Sequence, residues 1–288
     1  MQHLCQRDPR ACGIDRTRWT LATLRGACQW LNDGTLSGVQ RVLKRLKVVW
    51  KRPRAAIRSP DPDYEAKRAD ATAAVAAARA APGRLVAVYL DEVTVERQPT
   101  LAHAYAPTGH DQARASLSHR ANTETRVVAA LDALTGRVIY RRAAKITVAV
   151  LVQFYQALRV AYPEAEQIQV IQDNWPVHTH PDVLVALQPP STRWPWYRPP
   201  NWPTTPSAAA RKKWGALQLP IQIVPLPTYA SWCNPIEKLW RKLRQEVTHL
   251  HRWADDLTAL RKHIDQFLEQ FAQGSPELLR YVGLKVPD

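Results

Sequence analysis

Three acidic residues stand where the predicted strands and helices of the chain begin or end. Asp91 ends the strand LVAVYLD, Asp173 ends the strand IQVIQD, and Glu237 lies in the first turn of a helix predicted from residue 235. If the two strands are neighbours, both aspartates project near the same edge of the sheet, and a packed helix can supply the glutamate. Converging carboxylates repel one another unless a cation neutralises them. They are the ligands that two Mg²⁺ ions use in phosphodiester chemistry.

Each of these residues also has a purely structural explanation. The two aspartates can act as caps at strand ends. Asn234 is a good N-cap, Pro235 fits the first helical position, and Glu237 follows the cap at the spacing of a capping box. Glu237 shares a helix face with Arg241 and Arg244, which can form a surface ion pair with it or reach the phosphates that flank a metal site.

The order of elements from residue 84 onward predicts an α/β domain. Short apolar runs predict buried strands at 84–92, around 126–136 and 137–146, and at 167–173. A turn at Thr135-Gly136 joins the second strand to the third. Helices are predicted at 147–161, at 235–250 and at about 254–272. The combination indicates a mixed sheet flanked by helices, with an antiparallel meander at its start.

Residues 1–58 are predicted to form a small winged helix-turn-helix domain. One apolar helical face runs through 18–31, NDGTLS interrupts it, and a second helix begins with Ser37 as its N-cap. VVW at 48–50 predicts the short strand of a wing. Positive charge is concentrated on the second helix and its extension, where it can bind DNA or form a solvated basic face. The residues concerned are Arg41, Lys44, Arg45, Lys47, Lys51, Arg52 and Arg54.

Two further segments complete the predicted organisation. An Ala-rich connecting helix covers 59–83, with Asp61 as its cap and Pro62 in its first turn, and the α/β domain spans 84–288. Residues 189–218 are dense in Pro and Trp, which predicts an inserted loop within that domain. The aromatic and basic side chains of the insertion can stack on bases and contact phosphate, or pack among themselves or on another subunit. They are Trp194, Trp196, Trp202, Trp214, Arg193, Arg198, Arg211, Lys212 and Lys213.

The composition favours a polyanionic partner and excludes several classes of protein. The net charge is +15 over 288 residues, with a pI near 10. Four cysteines without a C-x-x-C pair indicate reduced thiols, and no apolar run reaches the length of a membrane helix. No P-loop, G-x-G-x-x-G or G-x-S-x-G sequence occurs. We therefore expect a cytoplasmic protein, in a cell where DNA or RNA is accessible, that has no membrane partner.

Four motifs in order give the chain a family resemblance. YLDE at 89–92, ALDALTG at 130–136, IQDNWPVH at 171–178 and SWCNPIEKLW at 231–240 follow RWTLATL and LKRLKVVWKRPR. This set resembles the DDE-superfamily transposases, and within them the mariner-like branch of bacterial insertion sequences. The resemblance implies a ribonuclease H-like catalytic domain, two Mg²⁺ or Mn²⁺ ions, and cut-and-paste movement of a DNA element by cleavage and strand transfer. A homodimer on double-stranded DNA and an association with the bacterial nucleoid are also implied.

The resemblance also assigns roles to individual residues. Asp91, Asp173 and Glu237 match the catalytic, metal-binding triad, and Asn174 and His178 match supporting positions after the second acid. Asp91 is preferred to the adjacent glutamate because successive strand side chains point to opposite faces.

Two features depart from the family pattern. Asp173 and Glu237 lie 64 positions apart, more than is usual, and the insertion accounts for the excess. One helix-turn-helix is recognisable where the family often has two, so we expect an N-terminally shortened chain. A sequence-specific DNA-binding regulator, or a transposase relic that no longer cleaves, is the alternative function. A ribonuclease acting on RNA in hybrids is a weaker one.

Overall fold

The computed structural model describes residues 1–51, 58–109, 111–188 and 199–285. The chain divides into two compact units, residues 1–57 and 58–288. In the described residues no helix is long and apolar enough to cross a membrane. All four cysteines carry free thiols.

The first unit is a small helical cluster. It contains α1 (Gln2–Cys5), α2 (Leu21–Ala27) and α3 (Leu36–Arg45). Thr20 and Thr23 form a capping box at the start of α2. Thr35, not Ser37 as predicted, caps α3, because its hydroxyl accepts the Gly38 N–H at 3.1 Å. The buried core of the unit consists of Trp19, Leu24, Cys28, Leu31 and Val39.

The predicted wing strand at 48–50 is absent from the described residues. The helix α3 ends in a turn, and the Val48 N–H returns to the Leu43 carbonyl at 2.9 Å. That bond closes the end of the helix, so this N–H is not available to a strand partner. Trp50 is 79% exposed, whereas a wing strand would half-bury such a side chain. The first predicted helix is also shorter than 18–31, because α2 gives way to a 3-10 turn at Gln29–Leu31.

The second unit opens with α4 (Tyr64–Ala80), which begins later than the predicted connecting helix. Asp61 is not its N-cap. The Asp61 carboxylate accepts N–H groups from Asp63 at 2.9 Å and Thr228 at 2.7 Å, and it pairs with the Lys67 ammonium at 2.7 Å. The side chain is therefore a tertiary anchor for a segment 167 residues away in sequence.

A five-stranded mixed sheet forms the centre of this unit, with strand order β3-β2-β1-β4-β5. The first three strands are antiparallel, and β4 and β5 run parallel to β1. Gly136 makes the β2–β3 turn at a φ of 70°, where the sequence predicts it. The strands are β1 (Leu85–Glu96), β2 (Glu124–Asp132), β3 (Val138–Ala143), β4 (Gln167–Gln172) and β5 (Ile221–Pro225).

Helices cover both faces of the sheet, each over its own apolar core. One face packs against α4 and three later helices, and the opposite face packs chiefly against two helices, with a further contact from Trp214. The first group continues with α8 (Ile236–Leu243), α9 (Leu257–Glu269) and α10 (Pro276–Val282), and the second comprises α5 (Val148–Ala161) and α6 (Pro181–Leu184). This is the mixed sheet flanked by helices that the sequence predicts.

Several elements differ from their predicted form. The insertion is not all loop, because α7 (Ala208–Trp214) lies within it and its Trp214 packs on the core beneath α5. The helix predicted at 235–250 is α-helical to Leu243 and then forms a π-turn at Arg244–Thr248. The strand β5 and the helix α10 were not predicted. Arg193, Trp194, Trp196 and Arg198 lie outside the described residues.

Candidate active site

The register of the sheet places Asp91 and Asp173 side by side. Parallel pairing of β1 with β4 ends at Tyr89 opposite Ile171. Asp91 and Asp173 each lie two residues beyond that last pair. The prediction that Asp91 ends its strand was wrong, because β1 continues to Glu96 in antiparallel pairing with β2. The shared edge is therefore the point at which β4 stops and β1 runs on.

Asp91 lies on the face of the sheet that α8 covers. Its Oδ2 accepts the indole N–H of Trp240 at 3.0 Å. Burial, followed by the charges of Glu237, Glu92 and Asp173, raises the pKa of Asp91 to about 7, against one backbone hydrogen bond that lowers it. The carboxylates of Glu237 and Asp173 therefore lie within electrostatic reach of Asp91.

Asp173 is the first residue after β4. Its Oδ1 accepts the Trp175 N–H at 3.0 Å and lies 3.3 Å from Nδ1 of His178. Burial acts to raise the pKa of Asp173, but the hydrogen bond and charge of His178, together with the Trp175 N–H, outweigh it and lower the pKa. The Asp173 carboxylate is therefore held in its charged form.

The two predicted supporting residues make different contacts. Fully buried His178 places Nε2 3.0 Å from Oε1 of Glu92. Burial lowers the pKa of His178, but the charge of Glu92 and the hydrogen bonds to Asp173 and Glu92 raise it to about 10. Asn174 donates to the Leu226 carbonyl at 2.6 Å, which ties the end of β4 to the end of β5.

Glu237 lies in the first turn of α8, and the predicted capping box does not form. The N-cap is Pro235, without a side-chain hydrogen bond among the described residues. Buried Asn234 instead donates from Nδ2 to the Leu90 carbonyl at 3.1 Å. This tertiary contact takes the side chain away from the helix end, so Glu237 has no capping role in the described structure.

The charges around Glu237 connect it to the aspartates. Burial raises its pKa, Arg244 lowers it, Asp173 raises it and Arg241 lowers it. Arg241 and Arg244 are exposed beside it on α8 and the π-turn. Glu237 raises the pKa of Asp91, and Asp173 raises the pKa of Glu237, so the three predicted acids lie within electrostatic reach of one another.

The remaining basic residues predicted to bind DNA belong to the first unit. They are exposed on α3 and the turn after it, namely Arg41, Lys44, Arg45, Lys47 and Lys51. Arg52 and Arg54 lie outside the described residues.

The donor chemistry of the site fits a hard divalent cation. Carboxylate oxygens are the preferred ligands of such ions, and a cation would favour the charged form of Asp91, whose pKa burial and neighbouring carboxylates raise. Across the described ranges no group of three His, Cys, Asp or Glu side chains is close enough to hold one ion. Sharing an ion therefore requires the three carboxylates to draw closer than they lie here.

Two contributors to the site were missed at the level of sequence. Trp240 was assigned to the buried stripe of its helix alone, although its spacing of three from Glu237 puts the two on neighbouring positions. Asn234 was assigned to capping. Glu92 was set aside as a catalytic acid, and the structure shows that it turns to His178, away from Trp240.

Comparison with known proteins identifies the family to which this fold belongs. Residues 86–261 match the family model for the DDE superfamily endonuclease. The match covers more than half of the chain, which therefore belongs to this family. The family resemblance drawn from the sequence motifs is confirmed.

Individual relatives support the same assignment. The insertion element IS630 uncharacterized 39 kDa protein of Shigella sonnei is 23% identical over an alignment of 275 residues, and the match covers 93% of this chain and 69% of that protein. The crystal structure of the Mos1 mariner paired end complex with Mn is 16% identical with a TM-score of 0.59, covering 96% of this chain and 73% of that one. A pre-cleavage Mos1 transpososome is 15% identical with a TM-score of 0.57, covering 94% and 77%. The likeness to both structures is one of fold.

Proposed function

We propose that this chain is a transposase that cleaves double-stranded DNA and transfers the cut strand in a metal-dependent reaction. One observation carries the proposal. The register of β1 and β4 sets Asp91 beside Asp173, and α8 brings Glu237 within electrostatic reach of both. Membership of the DDE superfamily endonucleases supports the same chemistry.

Asp91, Asp173 and Glu237 are the residues that would hold two Mg²⁺ ions, or Mn²⁺ in their place. Such ions supply a nucleophile at neutral pH and stabilise the leaving oxygen of a phosphodiester. Solved complexes of the similar Mos1 protein are described with Mn and with Mg.

The other residues of the site act on the ligands. His178 and the Trp175 N–H orient the Asp173 carboxylate, and the Trp240 indole orients Asp91. Arg241 and Arg244 place positive charge beside Glu237, where they would contact phosphates on either side of the cleaved bond.

Binding to DNA is proposed to use both units. The net charge of +15 provides a sequence-independent attraction to phosphate, and the exposed basic residues of α3 would contact duplex DNA. The similar Mos1 structure is described as a paired-end complex. We propose that a homodimer of this chain holds two element ends.

A cleavage assay tests the proposal. Supercoiled plasmid carrying the ends of the element is incubated with the protein and Mg²⁺, with EDTA in a parallel reaction. We expect the wild type to cut the plasmid. The control variant Glu164→Gln, which alters an exposed carboxylate at the opposite end of β4, should cut it as well. Asp173→Asn should bind the plasmid and leave it uncut. Specific binding without any metal-dependent cutting by the wild type would instead identify a regulator or a transposase relic.

A further inference from the structure

Glu92 is an acidic residue next to a proposed metal ligand, yet it faces the opposite side of the sheet. Alternation along β1 sends Asp91 toward Trp240 of α8, whereas Glu92 contacts His178 in the turn after β4. The Glu92 side chain is only 16% exposed, so its charge needs a partner inside the protein. His178 is that partner.

Burial, an aromatic contact and contacts at both ring nitrogens hold the imidazole of His178. The residue is 0% exposed, and Trp175 packs edge-on against the ring with 5.4 Å between centroids. Nε2 lies 3.0 Å from Glu92 Oε1, and Nδ1 lies 3.3 Å from Asp173 Oδ1 and 3.4 Å from the Asp173 carbonyl oxygen. Both ring nitrogens thus face a carboxylate, and the three residues form a chain from Glu92 through His178 to Asp173.

Asp173 needs such a restraint because of where it lies. It follows the last residue of β4, and its side chain is 55% exposed, so packing alone leaves its rotamer free. In metal sites, a carboxylate that hydrogen-bonds a ligand histidine fixes the orientation of that ligand. In this protein the order is reversed: the buried His178 imidazole orients the Asp173 carboxylate, which would bind the ion, and Glu92 in turn contacts the imidazole.

We propose that Glu92 is a positioning residue that fixes the orientation of the Asp173 carboxylate through His178, without binding metal or DNA itself. The inference rests on the proposed function in so far as Asp173 is a metal ligand. It explains why an acid beside Asp91 contributes to the site from the opposite face of the sheet.

A double-mutant cycle on metal binding tests the proposal. Mn²⁺ affinity is measured by electron paramagnetic resonance for the wild type, Glu92→Gln, His178→Asn and the double variant. We expect each single change to weaken Mn²⁺ binding about tenfold to a hundredfold, as for other outer-shell partners. The double variant should bind no more weakly than His178→Asn alone. Additive losses would overturn the proposal, because Glu92 would then act independently of His178.

A second measurement requires neither metal nor a His178 variant that folds. In metal-free protein with ¹³C-labelled aspartate, the Asp173 carboxyl signal is assigned through Asp173→Asn. Glu92→Gln should move this signal clearly more than Glu237→Gln, which removes a nearby charge but leaves the contacts of His178 intact. Equal shifts in the two variants, or none, would overturn the positioning role. A wild type that binds no Mn²⁺ would refute the proposed function, while the carboxyl signal still decides the role of Glu92.

Discussion

The indole N–H of Trp240 lies 3.0 Å from Oδ2 of Asp91, and this bond joins the helix that carries Glu237 to the strand that carries Asp91. Trp240 is 1% exposed and packs in the core between the sheet and α8. The same side chain therefore stabilises the fold and sets the distance between two of the three acids. Substitutions in the core beneath α8 should consequently alter the distance between Asp91 and Glu237.

The pKa of Asp91 makes a prediction about stability. Its ordinary pKa of 3.8 is raised by burial and by neighbouring carboxylates to about 7. Between these values the folded protein binds more protons than the unfolded chain, so the stabilising contribution is complete below pH 3.8 and is lost as the pH rises through 7. Asp91→Asn should therefore stabilise the metal-free protein at pH 8 by on the order of 3 kcal/mol, while abolishing cleavage.

Urea unfolding in EDTA at pH 4 and pH 8 measures this effect. The gain from Asp91→Asn should be small at pH 4, where the wild-type carboxyl is mostly protonated in the folded state. Glu164→Gln removes an exposed carboxylate and serves as the control. A gain of the same size at both pH values would contradict the assignment of a buried, repelled carboxylate at position 91.

We predict that Asn234 positions the start of α8, and with it Glu237, and does not act as a helix cap. It is 4% exposed, and its amide donates to the Leu90 carbonyl, next to Asp91 in β1. Asn234→Ala leaves that carbonyl without this donor, so we expect a loss of about 1–3 kcal/mol in the free energy of unfolding. DNA cleavage should fall as well, because the start of α8 sets the place of Glu237.

The control for Asn234 is Asn201→Ala, which alters an exposed asparagine. Urea midpoints and initial cleavage rates are compared for the two variants. Full cleavage by folded Asn234→Ala would show that the Leu90 contact does not position Glu237.

Sequence patterns indicated which sheet edge carries the candidate acids, but they did not reveal the contacts that support those acids. The apolar runs before Asp91 and Asp173 place both acids at one sheet edge, because periodicity and strand length are local properties. The spacing of Asn234 and Glu237 also matches a capping box, but the Asn234 amide instead donates to the Leu90 carbonyl, 144 positions away in sequence. Asp61 fails as a cap for the same reason, since Thr228 binds it from afar. Contacts of that range leave no trace in a local pattern.

The predicted lengths of several elements were wrong for the same reason, because they depend on contacts distant in sequence. Residues 93–96 continue β1 because β2 pairs with them, and pairing is not visible in the run itself. The strand β5 has only five residues beside a Pro-rich segment, so its signal is short and its flanks are misleading. The wing strand fails because Val48 closes α3.

The ion pair of Asp61 with Lys67 is predicted to be a stability determinant of the second unit. The two side chains are 2% and 11% exposed. Burial acts to raise the pKa of Asp61, but the Lys67 hydrogen bond and two backbone N–H groups hold it at about 2. Lys67→Met removes a cationic partner from a buried carboxylate, which should cost about 3–5 kcal/mol at pH 7.

The pH dependence of Asp61 has the opposite sign to that of Asp91. A lowered pKa adds stability that is present above pH 3.8 and is lost as the pH falls through 2. Wild-type stability should therefore fall more steeply than that of Lys67→Met in this range, measured by urea unfolding. Arg68→Met on the same helix breaks an ion pair with Glu65 whose side chains are 58% and 75% exposed, and should change little. Equal losses from the two substitutions would contradict the prediction.

Gly136 and Gly83 form a matched pair that separates backbone strain from steric overlap. Both have left-handed φ angles, of 70° and 81°. A Cβ on Gly136 would overlap the Ser275 carbonyl oxygen and lie 3.1 Å from Cγ of Leu279, whereas no described heavy atom lies within 4 Å of one on Gly83. Gly83→Ala should therefore cost about 1 kcal/mol from the backbone alone, and Gly136→Ala on the order of 2–4 kcal/mol, because it also pushes α10 from the β2–β3 turn. Urea unfolding of the two variants gives the difference, and equal losses would show that the turn yields to the added methyl group.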